Sequence, residues 1–386
     1  METLATSGLF TDEQNQFREA VRDFCAKETR PREKRDRLTR NGESQHNEEL
    51  YRQMAEMGWV ATSIPEEYGG AGTGVVEECI FLEETSRGRA PIIAGGLSLI
   101  VAGVYKRNGT EEQKQRVLSS VLRGDVHSIA MSEPNAGSDV GAMQCRAERR
   151  NGSYVINGHK TWISGAQDAC EILLVARENP DAGKHGGMTM LGVPIDTPGI
   201  EIKPIPTIGA PAEVNDVFFT DVEVDASAVV GEPEQAWMQL MAGLNTERLI
   251  IAAGCLGTGW TAFDEALAYV KQREQYGRPI GKFQTIKHRL ARHATELTAT
   301  GALIYDLARQ ADADPTALFP REASMVKLKA TEVAKEVALD CMHMMGGYGY
   351  TLEYDIQEVV RQALIFPVPG GCSEVQLDII AMTYGL

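Results

Sequence analysis

The residue of this chain best placed to do chemistry is a carboxylate on an apolar helix face. Leu240, Leu244, Glu247, Ile251 and Cys255 follow one another at spacings of 4, 3, 4 and 4 residues, so all five fall on one side of an α-helix. A charge there is costly unless it is paired or put to use. Pairing with Arg248 would make Glu247 a tie between helices; use would make it a proton acceptor. A second candidate is the loop Ala130-Met131-Ser132-Glu133-Pro134-Asn135-Ala136-Gly137-Ser138-Asp139. Its small residues let backbone N–H groups approach a ligand, and Ser132 and Ser138 add hydroxyls. Neither a Gly-x-Gly-x-x-Gly after a strand nor a Gly-Lys-Ser/Thr is present, which argues against a Rossmann site and a P-loop.

These residues need elements to position them. The length of 386 residues suggests two or three domains with a sizeable core. Residues 11 to about 125 read as helices, with Phe17, Val21, Phe24 and then Leu50, Met54, Met57 at helical spacing. Val76 to Leu82 and Leu97 to Tyr105 continue that pattern. From 126 the period changes. Tyr154-Val155-Ile156, Asn157-Gly158 and Thr161-Trp162-Ile163 read as a hairpin around an Asn-Gly turn. Glu171 to Val175, Met188 to Ile195, Ile200 to Ile205 and Val217 to Val224 read as further strands. Longer helices then return, over Met238 to Glu274, Phe283 to Arg309 and Ser324 to Met345. The first of these is expected to be interrupted near Gly254, Gly257 and Gly259. The expected fold is therefore α+β: an N-terminal helical domain over 1–125, a central β-barrel or sandwich over 126–232, and a C-terminal helical domain over 233–386.

Composition narrows the function. The net charge of −16, from 54 acidic and 38 basic side chains, disfavours a nucleic-acid partner, whose phosphates need clustered cations. No apolar run is long enough to span a membrane. The seven cysteines are odd in number, widely spaced and without a Cys-x-x-Cys pair. They read as reduced thiols in a cytoplasmic compartment, with neither a disulfide framework nor a metal site. Met1 to Phe10 lacks a basic and an apolar region, so no secretory leader is expected.

Residues 130–139, followed by Asn157-Gly158-His159-Lys160-Thr161-Trp162-Ile163-Ser164-Gly165-Ala166, resemble the flavin-binding signatures of the acyl-CoA dehydrogenase family. Arg273-Glu274-Gln275-Tyr276-Gly277-Arg278, running on to Phe283-Gln284, is similar to the family's Arg-x-Gln-Phe-Gly element. Gly346-Gly347-Tyr348-Gly349-Tyr350 is similar to its Gly-Gly-x-Gly-Tyr element. Four motifs in the right order cover nearly the whole chain. The resemblance implies the family's three-part fold with a C-terminal four-helix bundle, and FAD as cofactor. Trp162 would lie against the flavin ring, a large flat surface suited to stacking. Ser164 would bond near flavin N5, Met131 and Ser132 would meet the pyrimidine side, and Gly137 and Ser138 would lie near phosphates. Arg273 would meet the pyrophosphate of a flavin held mainly by a neighbouring subunit, its fork matching phosphate oxygens. Gln275, Tyr276, Gln284, Gly347, Cys372 and Glu374 join the implied cofactor contacts, as does His343, where the family usually has Gln.

The same resemblance bears on the base. In most of the family the catalytic Glu lies in a late loop, and its place here is Gly370, between Pro369 and Gly371. The isovaleryl-CoA dehydrogenase branch carries the acid on the earlier helix instead, and Gly243-Leu244-Asn245-Thr246-Glu247-Arg248-Leu249 fits that arrangement. Glu247 is thus expected to remove the α-proton of an acyl thioester, and the Gly370 N–H to hold the thioester oxygen. Ser138, Arg248 and Pro369 are expected near the substrate. Pro369 and Cys372 replace the usual Tyr and Thr, which leaves the acyl group open, on CoA or on a carrier protein. Alternatives are an enoyl-thioester reductase and a flavin monooxygenase or oxidase on the same scaffold. A homotetramer, as a dimer of dimers, and an electron-transfer flavoprotein are the implied partners.

Overall fold

The computed structural model describes residues 9–210 and 213–386, without the side chains of Ala242 and Leu244. Most of Met1 to Phe10, where no leader is expected, lies outside that range. Six helices come first: α1 (Asp12–Glu28), α2 (Arg32–Leu38), α3 (Glu48–Glu56), α4 (Val75–Arg87), α5 (Ile93–Asn108) and α6 (Glu111–Leu122). Eight strands follow: β1 (Val126–Ala130), β2 (Arg146–Arg150), β3 (Ser153–Ser164), β4 (Ala169–Arg177), β5 (Met188–Pro194), β6 (Ile200–Ile205), β7 (Val214–Asp225) and β8 (Val229–Val230). Next come α7 (Ala236–Gln272), the ribbon β9 (Glu274–Gln275) and β10 (Arg278–Pro279), α8 (Gln284–Ala313), α9 (Pro320–Met344), α10 (Ile356–Ala363) and α11 (Ser373–Thr383). The helix–sheet–helix order is the one the hydrophobic periods predict. No described helix is long and apolar enough to cross a membrane.

Compactness cuts across chain order. One unit holds residues 1–35, 74–90 and 247–386; the other holds 36–73 and 91–246. The unit boundary falls inside α7, just before Glu247.

The first unit is helical and has one core, built from α4, α7, α8, α9 and α10. Arg18 of α1 donates to Glu84 of α4 at 2.7 Å, and Tyr305 of α8 donates to Glu83 of α4 at 2.5 Å. These bonds tie three helices through buried polar groups, which need such partners. The N-terminus of α4 has no side-chain cap of its own. The Asp312 carboxylate supplies one, accepting from Val75 N at 2.6 Å and Val76 N at 3.1 Å. A side chain at Gly74 would collide with that carboxylate.

The expected interruption of α7 does not occur; it is one helix of 37 residues. Its glycines serve packing instead. A Cβ on Gly257 would run into the Glu83 carbonyl of α4, and one on Gly259 would lie 2.7 Å from Leu297 of α8. Glycine costs a helix about 1 kcal/mol relative to alanine, and close approach of neighbouring elements offsets that.

The second unit carries the sheet, in the order β6-β7-β3-β2-β4-β5-β8 with β1 added beside β4. One residue pair, Arg146 with Arg177, joins β2 to β4. The two halves bend there around a shared core that includes Tyr154, Ile172, Leu191 and Phe219. The hairpin at Asn157-Gly158 is not formed: Ser153–Ser164 is a single strand. The turn lies earlier, at Asn151-Gly152, where φ is 48° and 91°, as a type I′ turn requires. Gly158 sits instead at a register shift, and a Cβ there would lie 2.6 Å from Cys145 Sγ.

His46 of this unit is 7 % exposed, and neither ring nitrogen has a hydrogen-bond partner. Burial pushes its pKa down to about 4. The unfolded chain, with an ordinary value near 6.5, binds the proton first as pH falls. Stability is therefore lost as pH drops below about 6.5, by up to about 3 kcal/mol near pH 4. Replacing His46 with leucine should flatten that part of the pH–stability curve, measured by urea unfolding from pH 4 to 8. A curve of unchanged slope would contradict the assignment.

Candidate active site

In the helical unit, α7 carries Glu247 one turn before Ile251 and two before Cys255. Leu240 and Cys255 are each 2 % exposed and Ile251 is half-buried, so the stripe faces inward as the spacing predicts. The Leu244 side chain lies outside the described residues. Glu247 retains partial access to solvent. Among the described residues its carboxylate makes no hydrogen bond and no ion pair within 4 Å. The pairing with Arg248 that would make it a mere tie is absent. Burial raises its pKa to about 7, against the opposing charges of Arg248 and Lys327. Arg248 is itself buried. That burial pulls its pKa down while the Glu247 charge pulls it up.

Gly370 lies beside this base. A Cβ built on it would be 2.8 Å from Ile251 Cδ1 and 3.8 Å from Glu247 Oε1, and its φ is +67°. Both facts demand glycine. A side chain at this position would adopt a strained φ, displace Ile251 and crowd Glu247, so a base on α7 goes with a glycine at 370. The loop around it is closed by Ser373 N–H donating to the Pro367 carbonyl at 3.0 Å. The Gly370 N–H donates to nothing among the described residues, while its carbonyl accepts from Gln376 Nε2 at 3.1 Å. A free N–H beside a carboxylate of near-neutral pKa is the equipment for removing a proton next to a carbonyl. Pro369 is exposed on the same loop.

Sequence reasoning missed Lys327. It is 0 % exposed, and its Nζ donates to the Gly371 carbonyl at 2.8 Å. The signal was available: Ala323, Val326, Lys327, Ala330 and Ala334 share the buried face of α9, the same charge-on-an-apolar-stripe pattern that marks Glu247.

The sheet unit brings Met131, Ser132, Trp162 and Ser164 to the adjoining ends of β1 and β3. Lys160, fully buried, donates to the Met131 carbonyl and to Glu133, each at 2.8 Å. Glu133 accepts from the backbone N–H of Gln144 and Cys145 at 2.7 and 2.8 Å. Thr161 N–H donates to the Ser132 carbonyl at 3.0 Å, and Ser128 Oγ to the Ser164 carbonyl at 2.7 Å. Trp162 stands at a register shift between Lys160 and Ile163 with φ 62°, and is 59 % exposed. A bulky residue held left-handed is strained and persists only where the surroundings impose it. The result is an indole presented outward on a rigid strand. Gly137 and Ser138 are exposed in the loop, and a Cβ on Gly137 would meet nothing within 4 Å.

The remaining motif residues lie on the helical unit and are exposed: Arg273, Gln275 and Tyr276 on the β9–β10 ribbon, Gln284 at the start of α8, His343 and Gly347 at the end of α9. Tyr276 and Gly277, with φ of 53° and 76°, make the ribbon's tight turn. The Arg273 guanidinium lies 5.4 Å over the Tyr348 ring and pairs with no described carboxylate. Gly346 and Gly347 leave open space around them. His343 Nδ1 is 3.2 Å from Arg289, which binds Asp340. Cys372 is half-buried at the N-cap of α11, with Glu374 exposed in its first turn. On the sheet unit the outward indole suits a large flat ring; on the helical unit Arg273, paired with no described carboxylate, and glycines bordered by open space suit an anionic group.

The chain belongs to the acyl-CoA dehydrogenase family. The family's N-terminal domain matches residues 11–125, its middle domain 128–222 and its C-terminal domain 235–385. The mitochondrial isovaleryl-CoA dehydrogenase of Solanum tuberosum is 34% identical over 380 residues, 97% of this chain and 91% of that protein. The 3-(aryl)acrylate reductase of Clostridium sporogenes (strain ATCC 15579) is 34% identical over 385 residues, 96% of this chain and 98% of that protein. The crystal structure of an acyl-CoA dehydrogenase from Geobacillus kaustophilus superposes with a TM-score of 0.91 at 31% identity, covering 98% of this chain and 99% of that one. Members of the family are FAD-dependent oxidoreductases acting on CH–CH groups.

Gly370→Ala tests the loop. Left-handed strain and overlap with Ile251 are expected to cost about 1–3 kcal/mol. A displaced N–H should slow turnover about 10-fold or more. Thermal melting and substrate-driven flavin bleaching read the two effects. Unchanged values in both would contradict this geometry.

Proposed function

We propose that this protein removes two hydrogens from the α and β carbons of an acyl thioester, with Glu247 as the base. The observation that carries the reading is a largely buried Glu247 carboxylate beside the Gly370 N–H, neither with a hydrogen-bond partner among the described residues. Hydrogens next to a thioester are weakly acidic, so their removal needs both a positioned base and a donor to the developing oxyanion. Glu247 takes the α-proton onto a carboxylate oxygen. The Gly370 N–H donates to the thioester oxygen as charge builds there. FAD, when bound, supplies the acceptor for the β-hydrogen as hydride. Met131, Ser132, Trp162 and Ser164 would hold its ring, with Trp162 offering the stacking face. Gly137 and Ser138 suit its phosphates.

In this reading segment 126–232 forms the flavin platform, and segments 1–125 and 233–386 the helical parts. Arg273, Gln275, Tyr276, Gln284, His343 and Gly347 would serve the flavin of a neighbouring subunit, which makes the active form a homotetramer. Cys372 and Glu374 close the same set of cofactor contacts. Ser138, Arg248 and Pro369 border the substrate, carried on CoA or on a carrier protein. An electron-transfer flavoprotein is the proposed electron acceptor, and seven widely spaced cysteines without a Cys-x-x-Cys pair suit a reducing, cytoplasmic compartment.

The acrylate reductase relative favours a second direction. The same residues would then run in reverse, a protonated Glu247 delivering the α-proton to an enoyl thioester. A pKa near 7 keeps both forms of the carboxyl populated at neutral pH.

Glu247→Gln is expected to keep bound flavin but to lose at least about 10³-fold in its reduction by acyl-CoA. Anaerobic stopped-flow absorbance with isovaleryl-CoA and a chain-length series measures it. Reduction of the variant at the wild-type rate would sink the assignment.

A further inference from the structure

Lys327 is a buried ammonium that the mechanism above does not use. It lies on the apolar face of α9 with 0 % exposure. Its Nζ donates to the Gly371 carbonyl at 2.8 Å and to the Pro367 carbonyl at 3.5 Å. Gln376, also fully buried, donates from the first turns of α11 to the carbonyls of Gly370 and Gly371 at 3.1 and 2.8 Å. Three carbonyls of the 367–371 segment are thus drawn down by two side chains from two helices. The held carbonyls fix the planes of the 367–368, 370–371 and 371–372 peptides, which flank the peptide carrying the Gly370 N–H on both sides. Gly370 and Gly371, with φ of +67° and +83°, have no side chains to hold the loop by packing. Its shape therefore depends on those carbonyl contacts.

The ammonium also has an electrostatic role. The charged and titratable groups near it are Cys255, Arg248 and Glu247 of α7, and Cys372 and Glu374 at the start of α11. Burial holds the Cys255 thiol up at about 12, so it stays neutral. Glu247 and Glu374 are then the carboxylates near this cation, Glu374 exposed to water and so better screened, and Arg248 is the other cation. A buried charge acts strongly because little water screens it.

We propose that Lys327 is a positioning residue for the reaction. Its ammonium fixes the loop that presents the Gly370 N–H, and its charge favours the carboxylate form of Glu247. Gln376 is the neutral half of the same clamp. The inference rests on the dehydrogenase reading above.

The two halves make different predictions. In the full-length protein with FAD bound, Lys327→Met should retain flavin and lose about 10–100-fold in the rate of flavin reduction by acyl-CoA at pH 7. Its KM should change much less than its kcat. Its pH–rate midpoint should move to higher pH, because a cation facing Glu247 has gone. Gln376→Met should lower the rate but leave the midpoint in place, since no charge is removed. Lys327→Arg should restore the midpoint and only part of the rate, because the planar fork meets the carbonyls differently. A Lys327→Met protein with wild-type rate and midpoint overturns the proposal. So does one that loses thermal stability while both kinetic readouts stay put. Where Lys327→Met does not fold, Lys327→Arg and Gln376→Met decide: unchanged rates in both overturn the clamp. A wild-type flavin that no acyl thioester reduces, on CoA or on a carrier protein, and no enoyl thioester reoxidises, overturns the dehydrogenase reading itself. That outcome is separate from an unimpaired Lys327→Met on an active wild-type background.

Discussion

The helical unit depends on one costly arrangement: a largely buried carboxylate on α7 with no hydrogen bond or ion pair among the described residues. Removing a carboxylate from water without a partner favours its protonated form, and the group answers by raising its pKa. Arg248 and Lys327 limit that rise by facing the site without closing on it. Had either formed a salt bridge with Glu247, the carboxylate would be stabilised and poor at accepting a proton. Had both been absent, it would stay protonated at neutral pH. The value near 7 follows from this balance, and it lies where a base works best.

Two lysines show how such a site is kept in shape. Lys160 on the sheet unit and Lys327 on the helical unit are each fully buried, and each donates to a backbone carbonyl of a loop proposed to meet a ligand, Lys160 pairing with Glu133 as well. Lys160 grips the Met131 carbonyl and Lys327 the Gly371 carbonyl, both at 2.8 Å. Glycine-rich and small-residue loops approach ligands closely but hold no shape by packing. A buried cation donating to their carbonyls restores rigidity without filling the space a ligand needs. The strained backbone at Trp162 fits the same logic, with β3 and β7 imposing a conformation the residue would not choose alone.

Much of this was legible from the sequence, for identifiable reasons. Periodicity found the long helices and the strands β4 to β7, because each has a strongly apolar face. Glu247 was legible because it violates that periodicity. Lys327 violates it equally on α9 and was overlooked. The hairpin was misplaced because Asn157-Gly158 and Asn151-Gly152 carry the same turn signal. Only the structure shows that the second pair takes positive φ while Gly158 makes room for Cys145. The interruption expected in α7 failed because helix propensity cannot see Glu83 and Leu297 waiting to pack against Gly257 and Gly259. The helix α6 lies within the span read as helical but was not singled out, although Thr110 and Gln113 form a capping box at its start. Side-chain partners across long separations, such as Asp312 capping α4, leave no local trace.

The most direct test of this account is the titration of the Glu247 carboxyl itself. Infrared difference spectra of the oxidised, FAD-bound protein, wild type minus Glu247→Gln, isolate its carboxyl band from pH 5 to 9. The account predicts a midpoint near 7. A midpoint near the ordinary glutamate value of about 4.3 would mean the carboxylate is paired or hydrated, and would contradict Glu247 as a base tuned by burial.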